Sequence, residues 1–204
     1  MHILTGQHLG TRPPKVAGIT ALGKADHSLC MLAFTTVGST KFDALVQAVL
    51  SKPVLTALRL QGYTTLVVQS GNSVVDAGAS TTTNAEDMTK VQKDGVEIEI
   101  WKFKPSLETE YDRADLVISH AGSGTILEVL RLGKWLIVVP NPTLLDNHQE
   151  DLASSLNTLG HLKACTVDDL PQTIEDFDPS AIEPFPPFDG GKFSRLLEEE
   201  MGFL

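Results

Sequence analysis

The sequence predicts an α/β fold: a doubly wound parallel sheet, Rossmann-like, covered by helices on both faces. Three observations carry this. Short apolar or β-branched runs of strand length recur along the chain, and stretches with apolar residues at helical spacing separate them. The first and fourth runs each end in a glycine-rich turn that leads into a helix. Strands alternating with helices imply right-handed crossovers and a parallel sheet buried on both sides.

Residues 1–28 carry a Pro13-Pro14 pair, several glycines and no sustained period, and are expected to form an N-terminal extension. The character changes at residue 29, where LCMLAFTTV (29–37) predicts a buried strand that stops at Gly38, Ser39 and Thr40. KFDALVQAVLS follows with Phe42, Leu45, Val46 and Val49 at helical spacing. Further strands are predicted at 64–69 (TTLVVQ), 96–103 (VEIEIWKF), 116–119 (LVIS) and 135–139 (WLIVV), with helices at 106–114 and 125–132, the latter closed by Gly133. Residues 70–95, rich in Gly, Ser, Thr and Asp, are expected to form a long loop.

After the fifth strand the pattern predicts a loop (PNPTLLD), a helix at 147–159 and a short strand at 163–167. Asp168-Asp169 then reads as a cap for an acidic helix. The proline-rich run DFDPSAIEPFPPFDGG resists regular structure and leads to a last helix from residue 192. Leu196, Leu197, Met201, Phe203 and Leu204 give that helix an apolar side, which docks either on its own sheet or on another protein. The expected organisation is an extension (1–28), one domain (29–170) and an acidic tail (171–204).

With 204 residues, 42% of them hydrophobic and 21% charged, the chain has material for one good core but not for two full lobes. Its net charge of −10 argues against bulk attraction to nucleic acid or to an anionic membrane. Much of that charge lies in residues 166–204, where ten acidic residues face only Lys192 and Arg195, a pattern that suits a solvated acidic face. The two cysteines, Cys30 and Cys165, sit in no metal-binding or disulfide spacing, which fits a reducing compartment. The longest apolar runs fall far short of the roughly 20 residues of a membrane span, and the start lacks a secretory pattern. A cytosolic chain is expected, with any membrane attachment made through a partner.

In an open α/β sheet, ligands bind beyond the carboxyl ends of the strands. Two loops there combine glycine with hydroxyls: TTVGST (35–40) and SHAGSGT (119–125). Free N–H groups at a helix start, together with the helix dipole, make an anion site, and glycine lets a phosphate approach the backbone. Neither loop is a Walker loop, so SHAGSGT on its own either binds phosphate or only turns the chain. A nucleophile elbow of the Gly-x-Ser-x-Gly kind is absent too, which sets a hydrolase reading aside. The surrounding polar residues favour a ligand. His120 ends the fourth strand, Gly122, Ser123, Gly124 and Thr125 form the turn, and Glu128 lies one helical turn further in, placed to accept ribose hydroxyls. After the fifth strand, Asp146, Asn147, His148 and Gln149 supply hydrogen-bonding groups suited to a sugar. Phosphate, ribose and sugar then follow in linear order.

The pattern of His120, Gly122, Gly124, Thr125 and Glu128, followed by Pro140 and the 146–149 run, resembles the donor-binding half of GT-B glycosyltransferases. With TTVGST and LVISHAGSGTILEVL it resembles more narrowly the catalytic-subunit family of the eukaryotic two-subunit UDP-N-acetylglucosamine transferases, similar in turn to the bacterial peptidoglycan N-acetylglucosaminyltransferase. The resemblance runs from about residue 29 to 167. It implies a single lobe of the GT-B C-terminal type, with Ser123, Gly124 and Thr125 at the UDP phosphates, Glu128 at the ribose, and Asn147, His148 and Gln149 at the sugar. Residues 101–104 would meet uracil, with Phe103 the candidate contact and Trp101 assigned to core packing. Gly38 and Ser39 would touch the diphosphate or the acceptor, and His120 either sits near the phosphates, as a possible catalytic group, or closes the strand.

The implied reaction is inverting, β1,4 transfer of N-acetylglucosamine from UDP-GlcNAc to dolichol-diphosphate-GlcNAc in N-glycan precursor synthesis. No metal or cofactor is expected, since no DxD-like carboxylate pair stands at a strand end and helix N–H donors would carry the leaving diphosphate. A membrane-anchored acceptor-lobe subunit would supply the missing half, bring the chain to the cytoplasmic face of the endoplasmic reticulum, and contact it through the C-terminal helix. The alternative is a nucleotide-sugar-binding module without catalysis.

Overall fold

The structure, a computed structural model, describes residues 30–75, 82–83, 88–143 and 148–187. The predicted extension, the C-terminal helix and most of the tip of the 70–95 segment lie outside these residues, as does Asp146.

The first strand, β1 (Met31–Thr36), leads into α1 (Asp43–Val49). A second helix follows that the sequence reading lacked: α2 (Lys52–Leu60) starts at Ser51-Lys52-Pro53, where proline sits in the first turn and loses no helical hydrogen bond. Its Val54, Leu55, Ala57 and Leu58 are buried. The chain continues through β2 (Tyr63–Gln69), the two-residue β3 (Thr82–Thr83), β4 (Thr89–Lys93) and β5 (Val96–Trp101). Then come α3 (Glu108–Arg113), β6 (Leu116–His120), α4 (Ser123–Arg131), β7 (Trp135–Val139) and α5 (His148–Thr158). The described chain finishes with β8 (Lys163–Ala164), α6 (Leu170–Glu175) and a single 3-10 turn at Pro179–Ala181.

Among the described residues these strands form one eight-stranded sheet in the order β3-β4-β5-β2-β1-β6-β7-β8. The six strands from β5 to β8 pair in parallel. Numbered by their own sequence, they run 3-2-1-4-5-6, the doubly wound Rossmann order. The predicted fold class is therefore the observed one. Residues 70–95 correct the loop expectation: β4 pairs antiparallel with β5, and β3 with β4. The turn between β4 and β5 is Asp94-Gly95, with φ of 50° and 82°, the two left-handed residues that a tight hairpin requires. The alternation of strands and helices elsewhere hid this short antiparallel edge.

Side chains of alternate strand residues build two cores. On one face, α1, α2 and α6 cover Ala33, Leu66, Ile98, Ile118 and Ile137. On the other, α3, α4 and α5 cover Phe34, Val67, Val117, Leu136 and Val138. Asp169 stands at the cap position of α6, but its carboxylate takes the Thr166 hydroxyl at 2.7 Å and makes no side-chain cap bond. The order reverses between β1 and β6, so the crevice of the sheet opens between the loops that follow these two strands.

Candidate functional site

Both glycine-rich loops lie at that crevice. The loop after β6 is short, because His120 is still strand and Gly122 is already the cap residue of α4. Gly122 has no side chain to offer, and α4 has no side-chain cap bond at its start. Ser123 and Gly124 are exposed, Thr125 half-buried, and a β-carbon at Gly124 would meet nothing within 4 Å. The first turn thus presents its N–H groups and the positive end of its dipole to open space.

His120 joins the two loops. It is 7% exposed, and its ring packs so closely on Gly122 that a β-carbon there would stand 2.4 Å from Nε2. A β-carbon on Gly38, in the loop after β1, would stand 3.0 Å from the same ring's Cε1. Gly38 also has φ of +59°, so glycine is required there on two counts. Burial lowers the His120 pKa from its usual value, with the Thr36 backbone opposing, so the imidazole is neutral near pH 7; its Nδ1 has no hydrogen-bond partner. His120 thus closes β6 and borders the start of α4.

The other candidates are placed as follows. Ser39 is exposed beside Gly38, and its carbonyl accepts from Asn72 Nδ2 at 3.0 Å. Glu128 is exposed one turn into α4. Beneath it Tyr111 is fully buried, its phenol pushed up to about 12 by burial and by the Glu128 charge, with Thr125 beside it. Gln149 lies in the first turn of α5, and its Oε1 is buried without a hydrogen-bond partner. Asn147 and the His148 side chain lie outside the described residues. Phe103 stands 55% exposed just past β5, at the same edge of the sheet but three strand positions from β6. Trp101 is a core residue as expected, 4% exposed and stacked on Phe34 with ring centroids 6.1 Å apart.

Gln69, which the sequence reading passed over as the end of a strand, is the best-connected polar side chain at this edge. Its Oε1 accepts from Thr36 Oγ1 at 2.6 Å, and its Nε2 donates to the carbonyls of Gly38 (2.8 Å) and Lys102 (2.7 Å). A β-carbon on the nearby Gly71 would stand 2.6 Å from the Gly38 carbonyl oxygen, so the loops after β1 and β2 touch backbone to backbone. Ser73 Oγ accepts from Phe42 N at 2.8 Å and Asp43 Oδ1 from Val74 N at 2.9 Å, which fastens the same two loops further out. Glutamine ending an apolar run (VVQSG) was the available signal.

A doubly wound lobe with an open helix start at its switch point defines a Rossmann-like ligand-binding domain. The chain belongs to the family described as glycosyltransferase family 28 C-terminal domain, which matches residues 32–193. It is similar to the UDP-N-acetylglucosamine transferase subunit ALG13 of Mus musculus, 42% identical over 134 residues, which are 66% of this chain and 10% of the mouse protein. The Homo sapiens protein of the same name is 40% identical over 133 residues, 65% of this chain and 11% of its own length. The chain therefore spans about a tenth of these mammalian relatives. The Yarrowia lipolytica protein of that name is 32% identical over 182 residues, covering 87% of this chain and 88% of its own. Among solved structures, an NMR solution structure of ALG13 is 29% identical with a TM-score of 0.62, covering 82% of this chain and 94% of that one.

Proposed function

We propose that this chain binds UDP-N-acetylglucosamine and is the donor-binding, catalytic subunit of an inverting N-acetylglucosaminyltransferase. The observation that carries the reading is the open amino terminus of α4, capped by Gly122 and bordered by His120, at the switch point of a family 28 domain. The names of the Mus musculus and Yarrowia lipolytica relatives support the choice of donor.

The diphosphate sits at the α4 start, where Ser123, Gly124 and Thr125 donate backbone N–H groups. Glu128 accepts the ribose hydroxyls, and Gln149 with Asn147 and His148 holds the sugar. The base lies toward residues 101–104, where Phe103 offers an exposed ring. Three strand spacings separate β5 from β6, about 14 Å, which an extended nucleoside diphosphate spans.

In the reaction, the acceptor hydroxyl oxygen forms a bond to the anomeric carbon as the bond from that carbon to the diphosphate breaks, with inversion. UDP leaves with its new negative charge facing the α4 N–H groups, which stabilise it more than they do the intact donor. The hydroxyl proton goes to a base, and the neutral His120 imidazole is the candidate on this chain. The acceptor is dolichol-diphosphate-linked N-acetylglucosamine and the product linkage β1,4. A membrane-anchored partner subunit supplies the acceptor lobe and brings the chain to the cytoplasmic face of the endoplasmic reticulum. Among the described residues no helix is long and apolar enough to cross a membrane. The sequence from Lys192 to Leu204 is the proposed contact.

The test mixes the purified chain with UDP-N-acetylglucosamine and a short lipid-diphosphate acceptor, with and without a membrane-anchored partner. Turnover only in the mixture supports the reading, and loss of both turnover and co-purification on deleting residues 192–204 supports the contact. Donor binding without turnover in either condition would mark a binding module instead.

A further inference from the structure

We infer that Gln69 is a positioning residue that holds the loop after β1 in place for the diphosphate of the ligand, while the nucleoside side of the cleft is anchored independently of it. The inference rests on the nucleoside-diphosphate reading above. Gln69 is 2% exposed, and both donors and the acceptor of its side-chain amide are engaged within hydrogen-bonding distance. Its neighbours on β2, Leu66, Val67 and Val68, are fully buried and apolar, so an amide at this position is a departure from the core pattern of the strand.

The bonds converge on Gly38 from two directions. Gln69 Nε2 donates to the Gly38 carbonyl, while Thr36 Oγ1, its proton given to Gln69, accepts from Gly38 N at 3.1 Å. Gly38 is held in a left-handed conformation against the His120 ring, and that ring packs on Gly122 at the start of α4. A displacement at Gly38 is therefore passed through one rigid ring to the helix start that faces the phosphates. The other end of the amide is different. The Lys102 carbonyl also accepts from Gly71 N at 3.2 Å, and the Trp101 carbonyl from Ser70 N at 2.9 Å. Removing the Gln69 amide takes the hydrogen bond from the Gly38 carbonyl, while residues 101–102 stay tied to Ser70 and Gly71, just past β2, by backbone bonds.

This asymmetry gives a readout that general destabilisation would not. In the full 204-residue chain, Gln69→Met keeps the side-chain length and removes all three bonds. UDP and uridine are titrated into wild type and variant and followed by amide chemical shifts. The expected result is about a tenfold loss of UDP affinity with uridine affinity kept within about twofold, the scale of losing hydrogen bonds that hold one half of a site. Equal losses for both ligands, or no loss for UDP, would overturn the inference. Gln69→Leu, which is also neutral and adds no charge near the diphosphate, carries the same comparison if the methionine variant does not fold. A wild-type chain that binds neither ligand would refute the nucleotide reading itself. A wild-type chain that binds both, with the UDP-to-uridine ratio unchanged in the variants, would refute the role of Gln69 alone.

Discussion

Replacing Gly122 by alanine isolates the contact that joins the two halves of the site. Gly122 has φ of −75° and ψ of 124°, a conformation that any residue adopts, so alanine brings no backbone strain. The new methyl would stand 2.4 Å from His120 Nε2, 3.0 Å from Cε1 and 3.2 Å from Cδ2. Non-bonded atoms rest about 3.5 Å apart, so the nearest contact is short by about 1 Å. The ring has little room to retreat, being 7% exposed and also packed on Gly38. Overpacking of this kind costs about 1–3 kcal/mol. Alanine is also a poorer helix cap than glycine, which adds about 0.5–1 kcal/mol. Urea unfolding of a double-mutant cycle with His120→Ala separates the two. Without the ring the overpacking vanishes and only the capping cost remains, so Gly122→Ala should cost about 0.5–1 kcal/mol in that background. The same cost in both backgrounds would refute the contact and, with it, the coupling of the two loops through His120.

Three further outcomes are expected. Glu128→Ala should weaken UDP-sugar binding by about 1–3 kcal/mol in calorimetry, and unchanged affinity would remove Glu128 from the ribose. His120 is buried neutral, its folded pKa below the unfolded value of 6.5, so the unfolded chain takes up that proton first on acidification. Its contribution to stability is full above about pH 6.5 and is lost as pH falls from there toward the folded value; urea midpoints against pH should show this slope, and His120→Gln should flatten it. Gly95→Ala should destabilise the chain by about 1 kcal/mol or more, because Gly95 has φ of 82° and its β-carbon would stand 3.1 Å from Arg59 Cδ; an unchanged melting midpoint would contradict the hairpin.

Legibility in the sequence followed the range of the interaction. The runs ending at Val37, Gln69, Ser119 and Val139 announced themselves because a strand buried on both faces must be apolar along its length, and α4 because Ile126, Val129 and Leu130 recur on one face behind two glycines. The helix from Lys52 was missed because Ser-Lys-Pro reads equally as a turn and as a first helical turn. The hairpin was missed although Asp94-Gly95 is a local signal, since polar β4 lies one strand in from the edge of the sheet, is nowhere fully buried and carries no apolar run.

By itself, then, the sequence determined the alternation of strands and helices, the glycine turns and the polar set around SHAGSGT, because each depends on residues a few positions apart. Tertiary structure alone decided that β1 and β6 are neighbours, that the His120 ring lies against both Gly38 and Gly122, and that Gln69 reaches Thr36 and Lys102, each 33 residues away. Such contacts leave no local pattern, since the chain between the partners can vary freely so long as the sheet brings their strand ends together.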